Sequence, residues 1–521
     1  MPIIQQHTPF SQSKIWELQR AYFEQAGIDA WRKGQVPHYV TSNPFIGKTY
    51  AGLVFAFLRD LAQQGKTHET VYILELGAGH GRLCYHFLKH IEKLVANMAI
   101  PLPPLCYILS DFVEENIKFW QSHSRLQPYL EKGWLDFAQV DATQVSEIIL
   151  THSGKRILTE SLGQPLIVIA NYFFDTIPQE LFYIDQNKLY QCNVALTIDD
   201  AHPENPAEML AHVQLDFENH YLDYLPYKQT YLNTVLEEYA LSMDNTYLLY
   251  PHTGIECIHQ LRKLSQKGLL LLSADKGYHR YEDVEGRPVP QLVTHGSFSL
   301  SVNYHAIIKY AQQHQGISFF PKDNANSIVL GCLLFVYHPE EYRETGLAYT
   351  CLVDDFGPEE FFDLKKFNEK VFTQLSIQNI LGLIKLSNYD ARLFMQMFPH
   401  LFERIHEISF AERWSIFKAL HRVWDTYYPL GEDDDLAFLI GELLFNLKFY
   451  KEAIIYFNMS INIYGDKVDT LYNIASTFTV LEEHEKAKEV VQKILKGNPE
   501  HALTIQLAEY MGNLLSTELV R

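Results

Sequence analysis

Two kinds of hydrophobic pattern alternate through most of the first 345 residues. The first is a short, almost continuous apolar run, found at VYILEL (71–76), LCYILSD (105–111), LDFAQVD (135–141), PLIVIANYFFD (165–175) and GLLLLSAD (268–275). The second places apolar residues at helical spacing, as at 82–96, 112–123 and 255–266. Continuous apolar strands separated by helices predict a mostly parallel sheet that is covered by helices on both faces.

Other segments extend this predicted α/β domain. Residues 11–34 and a stretch that ends at Gly65 carry apolar faces and are predicted to be helical. Residues 181–196 predict a hairpin and residues 221–243 a helix, and both interrupt the alternation. After a further helix, ISFFP and SIVLGCLLFVYH predict an antiparallel pair. We therefore expect an insertion at about 183–245 that caps one end of the sheet.

Beyond residue 345 the strand patterns stop, and helical patterns with an internal period of 34 residues take over. The period relates Gly441 to Ala475, Ala453 to Ala487, Phe457 to Val491 and Gly465 to Pro499. Closely packed helix pairs need small residues at two such places and a large apolar one nearby. The segments 438–465 and 471–499 resemble tetratricopeptide repeats. An ordinary helical bundle with a chance period is the alternative.

These patterns divide the chain into four predicted segments. Residues 1–65 form a helical N-terminal part of the α/β domain, and residues 66–345 form its body with the insertion. Residues 346–430 are a helical connector, and residues 431–521 hold the repeats. A chain of 521 residues is too long for one hydrophobic core, so several domains are expected.

Composition and charge narrow the classes of partner. The chain has 63 acidic residues against 43 Lys and Arg, so we expect no binding to nucleic acid or to a membrane. The six cysteines are far apart, which argues against a disulfide framework or a metal site. No apolar run approaches the roughly 18 residues of a membrane span, and MPIIQQHTPF has no leader pattern. We expect a cytoplasmic protein whose oligomeric state stays open.

A glycine turn between a strand and a helix carries the first functional signal. In ILELGAGHGRL, Glu75 comes near the end of the strand, and Gly77, Ala78, Gly79 and Gly81 form the turn. Arg82 stands where a dinucleotide fingerprint needs a small residue, and the Walker GK[ST] is absent. The remaining pattern resembles motif I of class I S-adenosylmethionine-dependent methyltransferases. That resemblance implies S-adenosyl-L-methionine as cofactor, with Glu75 accepting a hydrogen bond from its α-ammonium group.

Two further carboxylates follow in the order of that motif set. Asp111 ends the next strand, where the pattern places a carboxylate on the ribose hydroxyls, and Asp141 follows the third strand, where a side chain meets the adenine amino group. Capping of a helix is the alternative role for each. The predicted cofactor-binding residues are Glu75, Gly77, Ala78, Gly79, Gly81, Asp111, Phe112, Asp141, Ala142 and Asn171. The expected fold is a Rossmann-like α/β class I methyltransferase domain followed by an all-α domain of tetratricopeptide-like repeats.

Further segments resemble the MidA family, whose mitochondrial members are protein arginine methyltransferases that act on a complex I subunit. VIANYFFDTIPQELF (168–182) looks like the family's ANEFFDALP signature, and GLLLLSAD is similar to its GALLLIDYG strand. The segment 296–316 resembles its DxTAHVDFxxLxxxAxxxG. The resemblance covers about residues 1–340 and implies a methyltransferase with a protein acceptor.

Several acidic residues of the family pattern are replaced in this sequence. Tyr172 stands for the glutamate of ANEFFD. Residues 38–58 resemble the family's TxPEIxxxFGE segment, in which Phe45 stands for the glutamate of PEI and Gly52 for that of FGE. The aspartates of DYG and VDF are predicted to become Lys276 or a neighbour and Asn303. Because a guanidinium needs an anionic fork to hold it, these losses weaken an arginine acceptor and leave the cofactor site intact.

Candidate catalytic residues lie after the fourth strand. We expect Asn171 to position the methyl acceptor and Asp175 to take or orient a proton, although Asp175 could instead cap the turn before Pro178. Residues predicted at the substrate mouth are Tyr39, Thr41, Ser42, Tyr172 and Phe173. The aromatic ones could equally be core. His80 in the glycine turn is expected to face solvent, and no metal is expected.

Three functions compete. The first is a protein methyltransferase that acts on an N or O nucleophile and uses its repeats to recruit a substrate or partner. The second is a catalytically degenerate methyltransferase fold that serves as a protein-interaction scaffold. The third is methylation of a small molecule, which fits an aromatic pocket but leaves the repeats unexplained. Retention of Glu75, Asp111 and Asp141 favours the first function.

Overall fold

The computed structural model describes residues 3–198, 205–323 and 327–518, and these fall into two compact units. The first unit ends at Leu364 and the second begins at Lys365. The domain bounds at 65, 345 and 430 stay predictions, because a compact unit is defined by contacts and not by resemblance. In the described ranges, no helix combines the length and the apolar character that a membrane span needs.

The strands of the described residues are numbered in chain order. They are β1 Ile3–Pro9, β2 Val71–Leu76, β3 Leu105–Asp111, β4 Leu135–Gln139, β5 Ile148–Ile149, β6 Arg156–Ile157, β7 Leu166–Asn171, β8 Glu180–Asp185, β9 Lys188–Ile198, β10 Val213–Tyr221, β11 Thr246–Tyr250, β12 Gly268–Asp275, β13 Gly277–Tyr278, β14 Val293–His295, β15 Ser297–Ser299, β16 Val302–Asn303, β17 Ile317–Phe319 and β18 Val329–Val336.

The α-helices are numbered in the same way. They are α1 Lys14–Ala26, α2 Asp29–Arg32, α3 Tyr39–Ser42, α4 Pro44–Gln63, α5 Arg82–Ala96, α6 Glu114–Ser122, α7 Gln127–Glu131, α8 Pro206–His212, α9 Thr230–Ser242, α10 His252–Arg262, α11 Tyr304–Gln313, α12 Arg343–Tyr349, α13 Pro358–Glu369, α14 Ile377–Leu386, α15 Ala391–Glu403, α16 Phe410–Thr426, α17 Leu436–Asn446, α18 Tyr450–Tyr464, α19 Val468–Val480, α20 His484–Gly497 and α21 Ala502–Glu518.

The first unit is built around a mixed seven-stranded sheet in the order β17-β18-β12-β7-β2-β3-β4. The five strands from β12 to β4 are parallel, while β18 is antiparallel to both β12 and β17. Every residue of β2, β3 and β18 is buried, as the continuous apolar runs predict. The predicted α/β architecture is confirmed in this coarse form.

The predicted strand 165–175 is too long. Strand β7 ends at Asn171, because Tyr172 takes a positive φ of 47° and turns the chain over the end of β12. The Tyr172 N–H donates to the Ala274 carbonyl at 3.0 Å. The aromatic residues that follow therefore lie in a loop at the carboxyl edge of the sheet, where ligands bind in α/β folds.

A second sheet has the order β1-β9-β8-β11, with β10 also paired to β9. The predicted hairpin is confirmed as β8 and β9. Strands β1 and β11 were not predicted, since their patterns are too short to stand out from loops. The predicted helix 221–243 is wrong in its first part: β10 extends to Tyr221, Pro226 lacks the N–H that a helix interior needs, and α9 begins at Thr230.

The N-terminal helical segment is also shorter than predicted. Within 11–34, α1 ends at Ala26, where Gly27 takes a φ of 47° and its N–H donates to the Phe23 carbonyl. Glycine in a left-handed conformation is a common helix stop. The chain resumes as the short helix α2, which brings Trp31 towards the glycine turn.

The second unit is helical, as predicted. Helix α17 packs against α18, and α19 packs against α20. The α18 and α20 helices begin at Tyr450 and His484, which are 34 residues apart. Gly441 of α17 is buried where a Cβ would lie 2.6 Å from Cε1 of Phe457 on α18. The helices pair closely because this position has no side chain.

Replacing Gly441 with alanine should destabilise the helical unit, although alanine is the better helix former. The new Cβ meets the fully buried Phe457 ring, and overpacking of this kind costs about 1–3 kcal/mol. Gly382 in the exposed face of α14 has no atom within 4 Å of its Cβ position, so Gly382→Ala should stabilise by about 0.5–1 kcal/mol. Urea unfolding of the full chain measures both changes. Equal stabilisation by the two substitutions would contradict the packing argument.

Candidate cofactor and active site

The glycine turn after β2 needs glycine at three alternate positions. Gly77, Gly79 and Gly81 have positive φ values of 58°, 54° and 75°, a region that favours glycine. At Gly79 a Cβ would also lie 2.6 Å from Cζ2 of Trp31. Helix α5 begins directly after the turn at Arg82. The spacing seen in the sequence is therefore a backbone requirement, and at Gly79 it also lets Trp31 pack on the turn.

Asp111 holds this turn against the end of β3. Its buried carboxylate accepts hydrogen bonds from the Gly79 N–H at 3.0 Å, the Val113 N–H at 3.0 Å and the Asn116 side-chain amide at 3.1 Å. Burial raises the pKa of Asp111, while these hydrogen bonds oppose the shift. The predicted cofactor carboxylate thus also fixes the backbone of the loop.

Glu75 lies beneath the same turn and is buried. Its carboxylate accepts a hydrogen bond from the Tyr107 hydroxyl at 2.8 Å. Burial raises the pKa of Glu75 to about 8, with a smaller contribution from the nearby Asp111 charge. In the protein without a ligand this carboxyl is therefore mostly neutral at pH 7.

Two cavities flank the turn, with volumes of about 340 Å³ and about 250 Å³. Both are lined by Phe23, Trp31, Gly77, Tyr172 and Thr176. Of the other predicted residues, the larger cavity is lined by Asp111, Phe112, Asp141, Ala142 and Phe173. The smaller cavity is lined by Thr41, Ser42, Glu75, Ala78, Gly79, Asn171 and Asp175. Gly81 and Tyr39 line neither.

Helix α1 closes the larger cavity on one side. The sequence motifs did not indicate that this helix is part of the site. Arg20 of α1 donates to the Asp141 carboxylate at 2.7 Å, and its guanidinium lies 4.5 Å from the centre of the Phe112 ring. The Thr143 hydroxyl and N–H also donate to Asp141, at 2.6 Å and 3.0 Å. Amphipathic spacing marks α1 as a packed helix but gives no indication of which loop it covers.

Asn171 is held in one orientation at the end of β7. Its side-chain oxygen accepts from the Tyr50 hydroxyl at 2.6 Å and from the Ala274 N–H at 3.1 Å. Its amide donates to the Thr41 carbonyl at 3.3 Å. An amide carries two N–H donors, so one is left for a ligand in the smaller cavity.

Only some of the residues predicted at the substrate mouth line a cavity. The hydroxyls of Thr41 and Ser42 donate to the His38 carbonyl, at 3.3 Å and 2.7 Å, so they are used within α3. Tyr172 lines both cavities, and burial raises the pKa of its hydroxyl. The ring of Tyr39 packs 6.3 Å from that of Phe362 and lies outside both cavities.

The expectation that His80 faces solvent is wrong. Its ring is buried between those of Trp31 and His38, at centroid distances of 5.7 Å and 4.8 Å. Its Nδ1 accepts from the Arg82 N–H at 3.1 Å, and burial lowers its pKa well below the ordinary value. His80 is a neutral packing residue of the turn, because α2 and α3 cover the loop.

The replacement of the DYG aspartate by Lys276 or a neighbour stays a prediction, but the structure shows an acid beside that position. Asp275 closes β12 directly before Lys276 and is fully buried. Its carboxylate accepts from the Phe173 N–H at 3.1 Å and from the Asp175 N–H at 3.4 Å. An acid thus ends β12, as Asp111 ends β3.

Asp175 lies next to the carboxylate of Asp275 and differs from the other acids of the site in the hydrogen bonding of its side chain. Its side chain is 3 % exposed, and its Oδ1 has no hydrogen-bond partner among the residues that the structure describes. Burial raises the pKa of Asp175 to about 7. Elsewhere in the described ranges, no cluster of three or more His, Cys, Asp or Glu is arranged to hold a metal ion.

Comparisons with known proteins identify the class of enzyme and its cofactor. Residues 53–296 match the model of a family described as "Putative S-adenosyl-L-methionine-dependent methyltransferase". No curated protein matches the sequence. The prediction of a methyltransferase of this class, with S-adenosyl-L-methionine as cofactor, is confirmed at this level.

Among solved structures, the chain is similar to a proposed methyl transferase from Burkholderia thailandensis, whose structure contains bound S-adenosyl-homocysteine. The identity is 15%, the match covers 60% of this chain and 74% of that one, and the TM-score is 0.38. It is also similar to the plantazolicin methyltransferase BpumL in complex with the same compound, at 12% identity, 62% and 98% coverage and a TM-score of 0.26. Similarity at this level carries no argument about acceptors.

The residues present fit the cofactor. The turn needs glycine at Gly77, Gly79 and Gly81 because of their positive φ, and the predicted carboxylates line cavities on both sides of Gly77. Glu75 lines the smaller cavity, while Asp111 and Asp141 line the larger one. The smaller cavity thus offers an acid to the amino acid part of the cofactor, and the larger cavity offers two acids to its nucleoside part.

Binding of the cofactor product S-adenosyl-homocysteine should strengthen as pH rises from about 6 to 8. In the free protein Glu75 keeps its proton up to a pKa of about 8. Its ionised form pairs better with an α-ammonium group, so binding releases the proton. We expect up to about a tenfold gain in affinity per pH unit below the pKa. Calorimetry in buffers of different ionisation enthalpy counts the released protons.

Glu75→Gln should abolish that proton release while keeping the shape of the side chain. Asp60→Asn is a matched control, because Asp60 is a buried carboxyl with a raised pKa and lies outside both cavities. Equal proton release from wild type and Glu75→Gln would show that another group titrates.

Proposed function

We propose that this chain transfers the methyl group of S-adenosyl-L-methionine to an N or O nucleophile of a protein acceptor. The observation that carries the proposal is the pair of cavities that meet at Gly77 and Tyr172. One side presents the carboxylates Asp111 and Asp141, and the other presents the buried acid Asp175 with a free oxygen. This division suits the nucleoside part of the cofactor in the larger cavity, and its amino acid part beside the reacting acceptor in the smaller one, which Glu75 also lines.

When bound, the cofactor supplies an activated methyl group on its sulfonium sulfur. The residues of the chain bind and orient the reactants and exclude water, which accounts for most of the rate gain in such transfers. We assign Glu75 to the α-ammonium group, Asp111 to the ribose hydroxyls and Asp141 to the adenine. Phe23 and Trp31 cover the turn and remove water from the site.

On the acceptor side, Asn171 and Asp175 are the proposed catalytic residues. Asn171 is fixed by hydrogen bonds to Tyr50, Ala274 and Thr41, so its remaining amide N–H has a defined direction. Asp175 offers an unpaired acceptor atom in the same cavity. A fixed donor beside a free carboxyl oxygen can orient a protic nucleophile and take its proton.

The protein acceptor is supported by the helical second unit. Its two helix pairs, α17 with α18 and α19 with α20, agree with the 34-residue period that resembles tetratricopeptide repeats. Such arrays present surfaces for peptides. We further propose that the chain is a divergent relative of the MidA family, and that it acts in the cytoplasm, given its acidic composition and scattered cysteines.

Calorimetric titration of S-adenosyl-homocysteine into wild type and Gly79→Arg tests the cofactor site. We expect binding to wild type that the substitution abolishes, because any side chain at Gly79 strains a left-handed residue and collides with Trp31. Gly154→Arg is the matched control, since Gly154 has a φ of 71° and no atom within 4 Å of its Cβ position. A folded wild type that binds neither cofactor nor product would establish the scaffold function instead.

The size of the methyl acceptor can be tested without knowing its identity. Cell extract separated into macromolecules and small molecules is incubated with the enzyme and methyl-labelled S-adenosyl-L-methionine. We expect label in protein, and none after the same treatment with Asp175→Asn. Label confined to the small-molecule fraction would contradict the protein acceptor and favour small-molecule methylation.

A further inference from the structure

Two buried aspartates meet where neighbouring strands end. Strands β7 and β12 are parallel, and Asn171 of one lies opposite Ala274 of the other. The loop after β7 then folds over the end of β12, because the Tyr172 N–H donates to the Ala274 carbonyl at 3.0 Å. The two strand ends therefore bring Asp175 and Asp275 together.

Asp275 is held rigidly by the backbone around it. Its Oδ2 accepts from the N–H groups of Phe173 and Asp175, at 3.1 Å and 3.4 Å. Its Oδ1 accepts from the Lys276 N–H at 2.9 Å. The side chain is fully buried and does not line either cavity. Asp275 thus fixes the loop that carries Asp175 without itself reaching a ligand.

Asp175 lacks the partners that buried acids normally have. Asp136 is equally buried, and its two oxygens accept from the N–H groups of Phe137, His152 and Ser153. Asp175 Oδ1 has no partner in the described ranges, yet the residue lines the smaller cavity. Leaving a buried acceptor unpaired costs about 1–3 kcal/mol, which indicates that a ligand supplies the missing hydrogen bond.

Resting on the proposed function, we infer that Asp175 and Asp275 share a proton at neutral pH. Asp175 accepts the proton of the methyl acceptor, Asp275 is the positioning residue, and the acceptor is an uncharged O–H or N–H nucleophile.

Electrostatics supports the sharing of a proton. Burial raises the pKa of both carboxyls, and the charge of Asp175 raises that of Asp275 further. Two buried carboxyls that interact electrostatically lose their protons in two steps that belong to the pair. Because both pKa values are raised, the pair keeps a proton to a higher pH than two carboxyls in water would. Its ionised form can accept one proton from a protic nucleophile.

The charges around the cavity disfavour a guanidinium. The titratable side chains that line the cavity with Asp175 are His38, Glu75, His80, Tyr172, Lys276 and His295. With the cofactor bound, the charge of Glu75 is paired with the α-ammonium group, burial keeps His80 and His295 neutral at pH 7, and Lys276 is an exposed lysine. A permanent cation that enters this site loses its hydration and meets no anionic fork. An uncharged acceptor avoids that cost.

The step balances in atoms and charge. The lone pair of the acceptor N or O forms a bond to the methyl carbon. The bond from that carbon to the sulfonium sulfur breaks, and its electron pair stays on sulfur. The proton of the acceptor passes to Asp175 Oδ1. The pair then holds two protons and releases one to solvent as the products leave.

Infrared difference spectroscopy of the carboxylic C=O band tests the pair in the protein saturated with S-adenosyl-homocysteine. The spectrum of the double variant Asp175→Asn/Asp275→Asn is subtracted, because other buried acids such as Glu75 and Asp111 contribute to the same band. In the remainder we expect two ionisation steps in wild type and one in each of Asp175→Asn and Asp275→Asn. In Asp175→Asn the remaining step should lie at a lower pH than the upper step of wild type, because the like charge is gone. Asp136→Asn should leave both steps unchanged.

Independent titration would overturn the inference. If the single steps of the two variants add up to the wild-type curve, the carboxyls do not share a proton. Retained binding of S-adenosyl-homocysteine with independent titration refutes the inference alone, whereas loss of that binding in wild type refutes the proposed function. A merely structural Asp275 would change stability and leave the titration of Asp175 unaltered.

The charge of the acceptor is tested with two probes of equal shape. Methylurea and methylguanidinium are titrated at pH 6.5 into the protein saturated with S-adenosyl-homocysteine and followed by ligand-observed NMR. We expect methylurea to bind more tightly, and Asp175→Asn to weaken it by about tenfold, the loss of roughly one hydrogen bond. Tighter binding of methylguanidinium, or no binding of either probe, would overturn an uncharged acceptor.

Discussion

The site depends on the hydrogen bond from the Gly79 N–H to the Asp111 carboxylate. It joins the glycine turn after β2 to the end of β3, and so fixes the backbone that separates the two cavities. The turn can follow this path because its three glycines adopt positive φ values, a region that favours glycine. Buried, charge-assisted hydrogen bonds of this kind are strong. The cavity walls therefore start from a rigid element.

Burial controls the charge of the site as much as neighbouring groups do. Glu75, Asp111, Asp175 and Asp275 lie within one edge of the sheet, and burial raises the pKa of each. Hydrogen bonds from backbone N–H groups offset part of this shift at Asp111 and Asp275. Without a ligand the site is less negative than its four acids imply. A cationic cofactor reverses that balance, since it favours the ionised forms.

Replacement of acids at the expected acceptor mouth changes the site without emptying it. Tyr172 takes the place of a glutamate in the resembling family and contributes to both cavities. Lys276 adds a cation beside Asp275, an acid that remains at the end of β12. In the proposed function, the cofactor carboxylates are kept while Tyr172 and Lys276 stand on the acceptor side.

Local patterns in the sequence determined the strands of the seven-stranded sheet, the glycine turn and the order of Glu75, Asp111 and Asp141, because each depends on residues close together in the chain. Contacts between distant segments were decided only in the tertiary structure. Helix α1 brings Arg20 to Asp141, 121 residues away. The pairing of Asp175 with Asp275 crosses 100 residues and follows from β7 and β12 being neighbours. Strand order and loop packing arise from the whole core, and no local spacing encodes them.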